Sequence, residues 1–595
     1  MRARHLGRAV LLWALAATAT ACDAPVNGET STETAQPLRD SSRPEAVADF
    51  DQMAAAFKAL YGPRVRKEAR YHFDLDDAIE QTRDALRQSR SDSDTFRTIS
   101  RFLDLLHDAH VSYSPSVLSD AARQVGVPLL VTPVESKFLV YAIGSALGGQ
   151  VAIGDELTRI DGRTPADLVR LFGRFEGFPN PRSEAQLTAT LVTRRSFLLP
   201  ASFLPAPGTA AQLQLRRADG STYAVSTPWV STRPPPRLQP PPARGAQLLR
   251  RPYALAGDAL QDVIHARADQ AAAGDIGGNR PFFLTPAVVQ TFAITPVRPS
   301  DATLTAFAVP PCDGTGTFEC YQSFAGTYTF QGKRVLLVRI PSYVPSTAPG
   351  AGFDSTYIKA VLSDFQGSAD VLVLDETNNP GGSVFTALDI ISALITQPAI
   401  NAGFAFHADR KIVNDLRGFV AELESLGPDF AGLAAKFAAR TDATERAYDQ
   451  KQPLGPLIPI VFFDITGDDR IFPDPGVQWA KPVVVLTNEL SFSGGDLFPM
   501  LVKANHIGTL FGETTGGAGG NVEEVLTTSF SQGSLRLTRS IFAPMTDASQ
   551  IPFGTVVEDL GISPDVRHPL TVSDFRAGHV GYVKAFSELA ASLVH

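Results

Sequence analysis

Cysteine is almost missing from this chain. Three occur in 595 residues, too few for a disulfide framework or a thiolate metal centre. Cys312 and Cys320 flank Asp313 to Glu319, a turn-rich stretch, and one local disulfide between them is the expectation. Basic runs are missing too. Past the N-terminus no Lys/Arg cluster stands out and the formal charge is −9, so nucleic acid has no support as a partner. No long apolar run lies beyond residue 22, which leaves no candidate spanning helix there. The acidic residues Asp464, Asp468, Asp469 and Asp474 lack the spacing of a calcium loop, and His107-x-x-His110 has no third ligand near it. Neither a metal nor an organic cofactor is therefore expected. The remaining composition, 44% hydrophobic and 19% charged, is that of an ordinary globular protein.

The N-terminus reads as a targeting segment. Arg2, Arg4 and Arg8 precede an apolar run from Ala9 to Ala17, and Ala19-Thr-Ala-Cys22 follows. That order is a secretory signal peptide. A cysteine directly after small residues resembles a bacterial lipoprotein cleavage site, with Cys22 as the lipidated end. The expected location is extracytoplasmic, anchored through lipid to a bacterial cell membrane on its periplasmic side or at the surface. Residues 23–43, rich in Thr, Ser, Glu and Pro, read as a flexible tether.

The length allows roughly three or four domains. Residues 44–125 read as helical. Phe50, Met53, Phe57 and Leu60 fall on one face, a second helix covers 76–88, and a third opens at Ser93-Asp94 and carries Ile99, Leu103 and Leu106. Residues 126–205 read as a β-rich module, in which Gly154-Asp-Glu-Leu-Thr-Arg-Ile-Asp-Gly162 resembles a stretch of PDZ domains. Such modules bind extended peptide by strand addition. Residues 206–327 hold a hairpin signal at Asp219-Gly220, a proline-rich linker at 234–242 and the disulfide loop. Residues 328–595 read as an α/β domain with an insert at 400–478 that is largely helical between Val413 and Ala439. The fold class is thus α/β and α+β multidomain.

Two segments carry the chemistry. Val371-Leu-Val-Leu-Asp-Glu-Thr-Asn-Asn-Pro-Gly-Gly382 and Val483-Val-Val-Leu-Thr-Asn488, followed by Ser491-Phe-Ser-Gly-Gly-Asp496, each break from an apolar run into polar and glycine residues. Apolar runs of this length suit strands buried on both faces, and residues just past such strands are where α/β sheets place ligands. Glycines let backbone N–H groups approach a ligand closely, and a serine opening a helix sits where negative charge is favoured.

These stretches, with Gly512-Glu-Thr-Thr-Gly-Gly517 and Glu558-Asp-Leu-Gly-Ile-Ser-Pro-Asp565, resemble the S41 peptidases, the family of C-terminal processing proteases and the tricorn core protease. The resemblance implies a ClpP/crotonase-like core and a serine hydrolase. Ser493 would be the nucleophile, with Ser491 as its rival. The lysine base of the processing-protease branch would fall at 518, which is Ala518, and no lysine occurs between Lys503 and Lys584. The tricorn and retinoid-binding-protein branch takes a histidine from the N-terminal part. Leu105-Leu-His-Asp-Ala-His110 resembles that stretch and makes His110 the base, with His506 as fallback. Glu558 would steady the histidine, and the backbone N–H groups of Gly381 or Gly382 and Gly494 would form an oxyanion hole. Two positions depart from the pattern: Ala109 where that branch has a serine, and Asp496 where the family has glutamate. The expected function is a serine endopeptidase acting on extracytoplasmic proteins or peptides. The alternative is a non-catalytic ligand- or protein-binding lipoprotein on the same scaffold. The oligomeric state is not read from the sequence.

Overall fold

A computed structural model describes residues 43–90, 92–114, 124–173, 177–189, 191–196, 209–231, 281–309, 323–343, 354–461, 466–467, 469–546 and 557–595. The signal peptide, the tether up to residue 42, Cys22, the proline-rich linker and the Cys312–Cys320 loop lie outside these residues. The fold is mixed helix and sheet. The chain divides into two compact units, one of residues 1–122, 401–469 and 520–556, the other of 123–400, 470–519 and 557–595.

In the first unit, helices Arg43–Leu60, Arg64–Tyr71, Leu75–Arg87 and Asp92–Leu105 follow one another. The expected apolar face is buried at Phe50, Met53 and Phe57. Phe102 meets the Phe50 and Phe57 rings edge-on at 5.1 and 5.2 Å. Asp74 caps its helix by accepting the Asp77 N–H at 3.0 Å. The short helix Arg64–Tyr71, polar in sequence, was not expected. Strand Ser112–Ser114 then joins Ser534–Thr538 and Val522–Thr527 in one sheet. A second sheet orders Leu454–Pro459, Ala402–His407 and Ser540–Pro544. The insert is helical over the expected stretch from Val413 to Ala439 and carries strands on either side of it. Its helices Arg410–Ser425 and Ala431–Asp449 are flanked by strands whose third partner lies far away in sequence.

In the second unit, an antiparallel sheet orders Leu129–Val134, Lys137–Ile143, Glu156–Ile160, Ala210–Arg216 and Thr222–Pro228. The Asp219-Gly220 hairpin belongs to this sheet, since Glu156 pairs with Arg216, so the β-rich module runs past the expected boundary at 205. Helices Pro165–Phe172 and Pro181–Ala189 belong to the same module, with Leu168, Phe172, Leu213 and Leu215 in its core.

The central sheet has seven strands in chain order: Thr295–Pro296, Phe324–Phe330, Lys333–Arg339, Val371–Asp375, Val483–Thr487, Thr509–Gly512 and Val566–Arg567. The first three pair antiparallel and the rest parallel. Every residue of Val371–Asp375 and Val483–Thr487 is buried, as strands covered on both faces require. One face packs on the C-terminal helix Val580–Ser592 through Tyr582, Val583 and Phe586. Phe283, Val288, Phe292 and Ile294 join that core, so the domain begins well before the expected residue 328.

Candidate active site

Two parallel strands deliver the site. Val371–Asp375 ends in acidic residues buried in the sheet. Arg339, one strand over, donates to Asp375 Oδ2 at 2.8 Å and to the Thr377 carbonyl at 3.0 Å. Thr377 donates its hydroxyl to Asp375 Oδ1 at 2.6 Å. Charge pairing with added hydrogen bonds is what allows a carboxylate to be fully buried. Asn378 then turns left-handed at φ 57°. Its N–H donates to Asn488 Oδ1 at 2.8 Å, and Asn488 Nδ2 returns a bond to Asn378 Oδ1 at 2.9 Å. The ends of the two catalytic strands are thereby tied together.

The glycine turn follows. Asn379 anchors it, donating Nδ2 to the Ile340 carbonyl at 3.0 Å and accepting the Gly381 N–H at 2.8 Å. Tyr343 clamps the other side: its N–H donates to the Gly381 carbonyl at 2.9 Å and its carbonyl accepts the Ser383 N–H at 3.0 Å. The Tyr343 hydroxyl donates to Glu376 Oε1 at 2.5 Å. Burial pushes the Glu376 carboxyl well above the usual carboxylate range against the pull of that hydroxyl, and the charges of Asp496 and Asp375 add to the rise. Gly381 and Gly382 have φ of 90° and 137°, a region that favours glycine.

The Gly381 N–H is thus spent on Asn379. Of the two glycines read from the sequence, it is Gly382 whose N–H has no hydrogen-bond partner among the described residues, and the Gly494 N–H has none either. The two groups are close. A Cβ placed on Gly494 would lie 3.3 Å from Gly382 N, and one placed on Gly381 would lie 2.6 Å from Gly494 N and 2.7 Å from Ser493 Cβ.

Ser493 opens helix Gly494–Ala504 at φ 56° and ψ −110°, a backbone conformation sparsely populated by non-glycine residues. In the run Leu490–Val502 it alone is not buried. The rival Ser491 is fully buried, and its hydroxyl donates to the Glu376 carbonyl at 2.9 Å. Helix position and exposure therefore separate the two serines.

Asp496, the departure from the family's glutamate, is a hub. Its carboxylate accepts the Ser493 N–H at 2.9 Å, the Gly517 N–H at 2.9 Å, the Ala518 N–H at 3.0 Å and the Thr515 hydroxyl. Burial pushes its pKa up to about 6, while those donors pull the other way. Position 518 is thereby part of the loop's scaffold. Glu558 lies against the same loop, fully buried, with Oε2 accepting the Gly519 N–H at 2.6 Å. The neighbouring backbone seals the contact through Asp559 N–H to the Gly517 carbonyl at 2.9 Å and Ile562 N–H to Thr515 Oγ1 at 2.7 Å.

His110 belongs to the first unit. It lies in a turn past helix Asp92–Leu105, rather than on that helix, and is buried. Its backbone N–H donates to Asp108 Oδ1 at 2.9 Å, and Asp108 also accepts the Tyr61 and Thr538 hydroxyls at 2.9 and 3.0 Å. Burial works to raise the Asp108 carboxyl, but the charges of Lys67 and His110 hold it below the usual range. His107 stacks on Tyr71 at 4.0 Å. The fallback base His506 is exposed at the far end of the helix Ser493 opens. Eleven helical residues put about 16 Å between those ends, so His506 is excluded. Lys503 is half-exposed, bonded to the Ser563 carbonyl at 2.8 Å and paired with Asp565 at 3.1 Å. Among the described residues no three His, Cys, Asp or Glu side chains converge as metal ligands.

The sequence reading missed Tyr343, Glu376, Asn379 and Thr515. Glu376 had a signal, a second acidic residue ending a buried apolar strand. Tyr343 had only its place just past the carboxyl end of the neighbouring strand.

A model of peptidase family S41 matches residues 334–568. A protein of Chlamydia trachomatis serovar D is 23% identical over 587 residues, covering 92% of this chain and 93% of its own. An uncharacterized protein of Chlamydia muridarum is 24% identical over 619 residues, covering 92% and 93%. Among solved structures, mature CPAF complexed with lactacystin superposes with a TM-score of 0.69 at 21% identity, covering 93% of this chain and 99% of that one. The last is a likeness of fold.

Proposed function

With an S41 peptidase region at residues 334–568, this chain is a serine-type peptidase, and from that premise we propose that it is an endopeptidase acting outside the cytoplasm while tethered through lipid on Cys22. Ser493 attacks the peptide carbonyl. His110 takes the proton from Oγ and returns it to the leaving amine, and Glu558 steadies the charged imidazole. The N–H groups of Gly382 and Gly494 receive the developing oxyanion, a contribution of about 3 kcal/mol per donor in the transition state. Support comes chiefly from one observation: the single partly exposed residue of a buried helix start is a serine in a left-handed turn, beside two N–H groups with no partner among the described residues. Protein or peptide is the substrate class. The test is turnover of an unfolded polypeptide such as casein. Ser493→Ala and His110→Ala should each abolish it to a similar extent, since members of one constellation act together, and Glu558→Gln should lose most of the rate. Full activity in Ser493→Ala overturns the nucleophile, and full activity in His110→Ala overturns the base.

A further inference from the structure

The short segment from Phe178 to Ser183, which leads into helix Pro181–Ala189 of the β-rich module, touches the catalytic loops at four points. Phe178, buried, packs its ring 6.0 Å from that of Phe492, the residue before Ser493. Asn180 Nδ2 donates to the Thr515 carbonyl at 3.1 Å, and the Thr515 hydroxyl in turn donates to Asp496. Ser183, fully buried, donates its hydroxyl to the Glu489 carbonyl at 2.6 Å, on the loop between the Val483–Thr487 strand and Ser493. Arg182 pairs with Glu513 at the end of the next strand. Gly516 closes the circuit, its N–H donating to the Ser491 carbonyl at 2.7 Å.

The same helix also contacts one edge of the module's own sheet. Leu129–Val134 is one of its two edge strands. Gln186 Nε2 donates to the Pro133 carbonyl at 3.0 Å, and Gln186 Oε1 accepts the Thr132 hydroxyl at 2.8 Å. A peptide pairing at Pro133 would have to compete with Gln186 for that carbonyl.

We propose that in this chain the β-rich module serves as a brace on the nucleophile and oxyanion loops, with Asn180 and Ser183 as positioning residues that set the rate of the chemical step. The proposal rests on the reading of Ser493 as nucleophile. The physical reason is that both loops must hold Ser493 and the Gly494 N–H in fixed register, and misplacement of about 1 Å costs catalysis on the order of a hundredfold. Hydrogen bonds from a packed helix to two loop carbonyls supply that constraint.

Asn180→Asp isolates the effect. The side-chain oxygen that accepts the Arg182 N–H at 2.9 Å is kept, so the helix start survives, while the donor to Thr515 is replaced by a carboxylate facing a carbonyl. Ser183→Ala removes the second bond, and Ser183→Thr restores its hydroxyl. On a short peptide substrate, kcat per active site should fall about tenfold to a hundredfold in Asn180→Asp and Ser183→Ala with KM unchanged, and Ser183→Thr should recover it. Hydrogen exchange should quicken at 489–496 and 515–519 and stay as in the parent across the module's sheet. Parent-like kcat together with parent-like exchange in those loops overturns the brace. Quicker exchange throughout the module with parent-like kcat also overturns it, as a role in module stability alone. If the parent neither turns over nor labels at Ser493, the catalytic reading fails by itself, and the loop exchange rates still decide the brace.

Discussion

Gly381→Ala should remove most of the activity while leaving the fold in place. At φ 90° an added Cβ is strained wherever it points, at roughly 1–2 kcal/mol. Here it also meets Gly494 N at 2.6 Å, the Phe492 carbonyl at 2.6 Å and Ser493 Cβ at 2.7 Å. Ordinary contact begins near 3.4 Å, so the glycine turn and the nucleophile turn must part by about 0.8 Å. Those neighbours are backbone or the root of a side chain, not the far end of a flexible one. The parting carries Gly382 away from Gly494, and oxyanion donors act only within about 2.7–3.1 Å of the charge they stabilise. Loss of one donor lowers kcat by about a hundredfold to a thousandfold. Gly332→Ala is the control. Its φ is 77° and nothing lies within 4 Å of the added Cβ, so it pays the backbone strain without any displacement. Gly381→Ala should lose more stability than Gly332→Ala in denaturant titration, by about 1–3 kcal/mol for the added overlap. Without denaturant, where both are folded, only Gly381→Ala should lose turnover and fluorophosphonate labelling. A Gly381→Ala protein that labels as fast as Gly332→Ala would refute the reasoning.

Asp496 gives a pH signature. Its folded pKa of about 6 lies above the unfolded value near about 4, so the folded state holds the proton more tightly and stability falls as pH rises between the two, by roughly 3 kcal/mol from this group. Denaturant midpoints should fall less steeply across that window in Asp496→Asn, and equal slopes would count against the assignment. Arg339→Ala leaves Asp375 buried without its partner, and chemical denaturation should show a loss of about 3–5 kcal/mol; a loss under about 1 kcal/mol would mean the pair is not closed. Cys312 and Cys320 should both resist alkylation in the non-reduced protein, and free thiols at both would remove the disulfide. Cys22→Ser should release the protein from the membrane or leave its precursor unprocessed, and unchanged fractionation would remove the lipid anchor.

The parts of this molecule that depend on local pattern were legible in the sequence. Val371–Asp375 and Val483–Thr487 show as apolar runs because each strand is buried on both faces. The helix at Ser493 shows because glycine and aspartate follow a serine just past such a strand. The face of Phe50, Met53 and Phe57 shows as helical spacing. What depends on distant pairing was not legible. Ala402–His407 lies in the insert, and its partner Ser540–Pro544 lies more than a hundred residues on. The hairpin at Asp219-Gly220 was visible as a hairpin, but not its pairing with Glu156–Ile160. Likewise Asp496 stood out only as a departure from a motif. Its use as acceptor for Ser493, Thr515, Gly517 and Ala518 follows from a loop closing twenty residues away, which no local period encodes. Tyr343 clamps the glycine turn mainly through its backbone, and backbone bonding leaves no residue signature.

Fluorophosphonate labelling of the parent protein, followed by peptide mapping, tests the central claim most directly. The label should sit on Ser493, be lost in Ser493→Ala, and form much more slowly in His110→Ala. A label on Ser491, or one that persists in Ser493→Ala, would contradict the account.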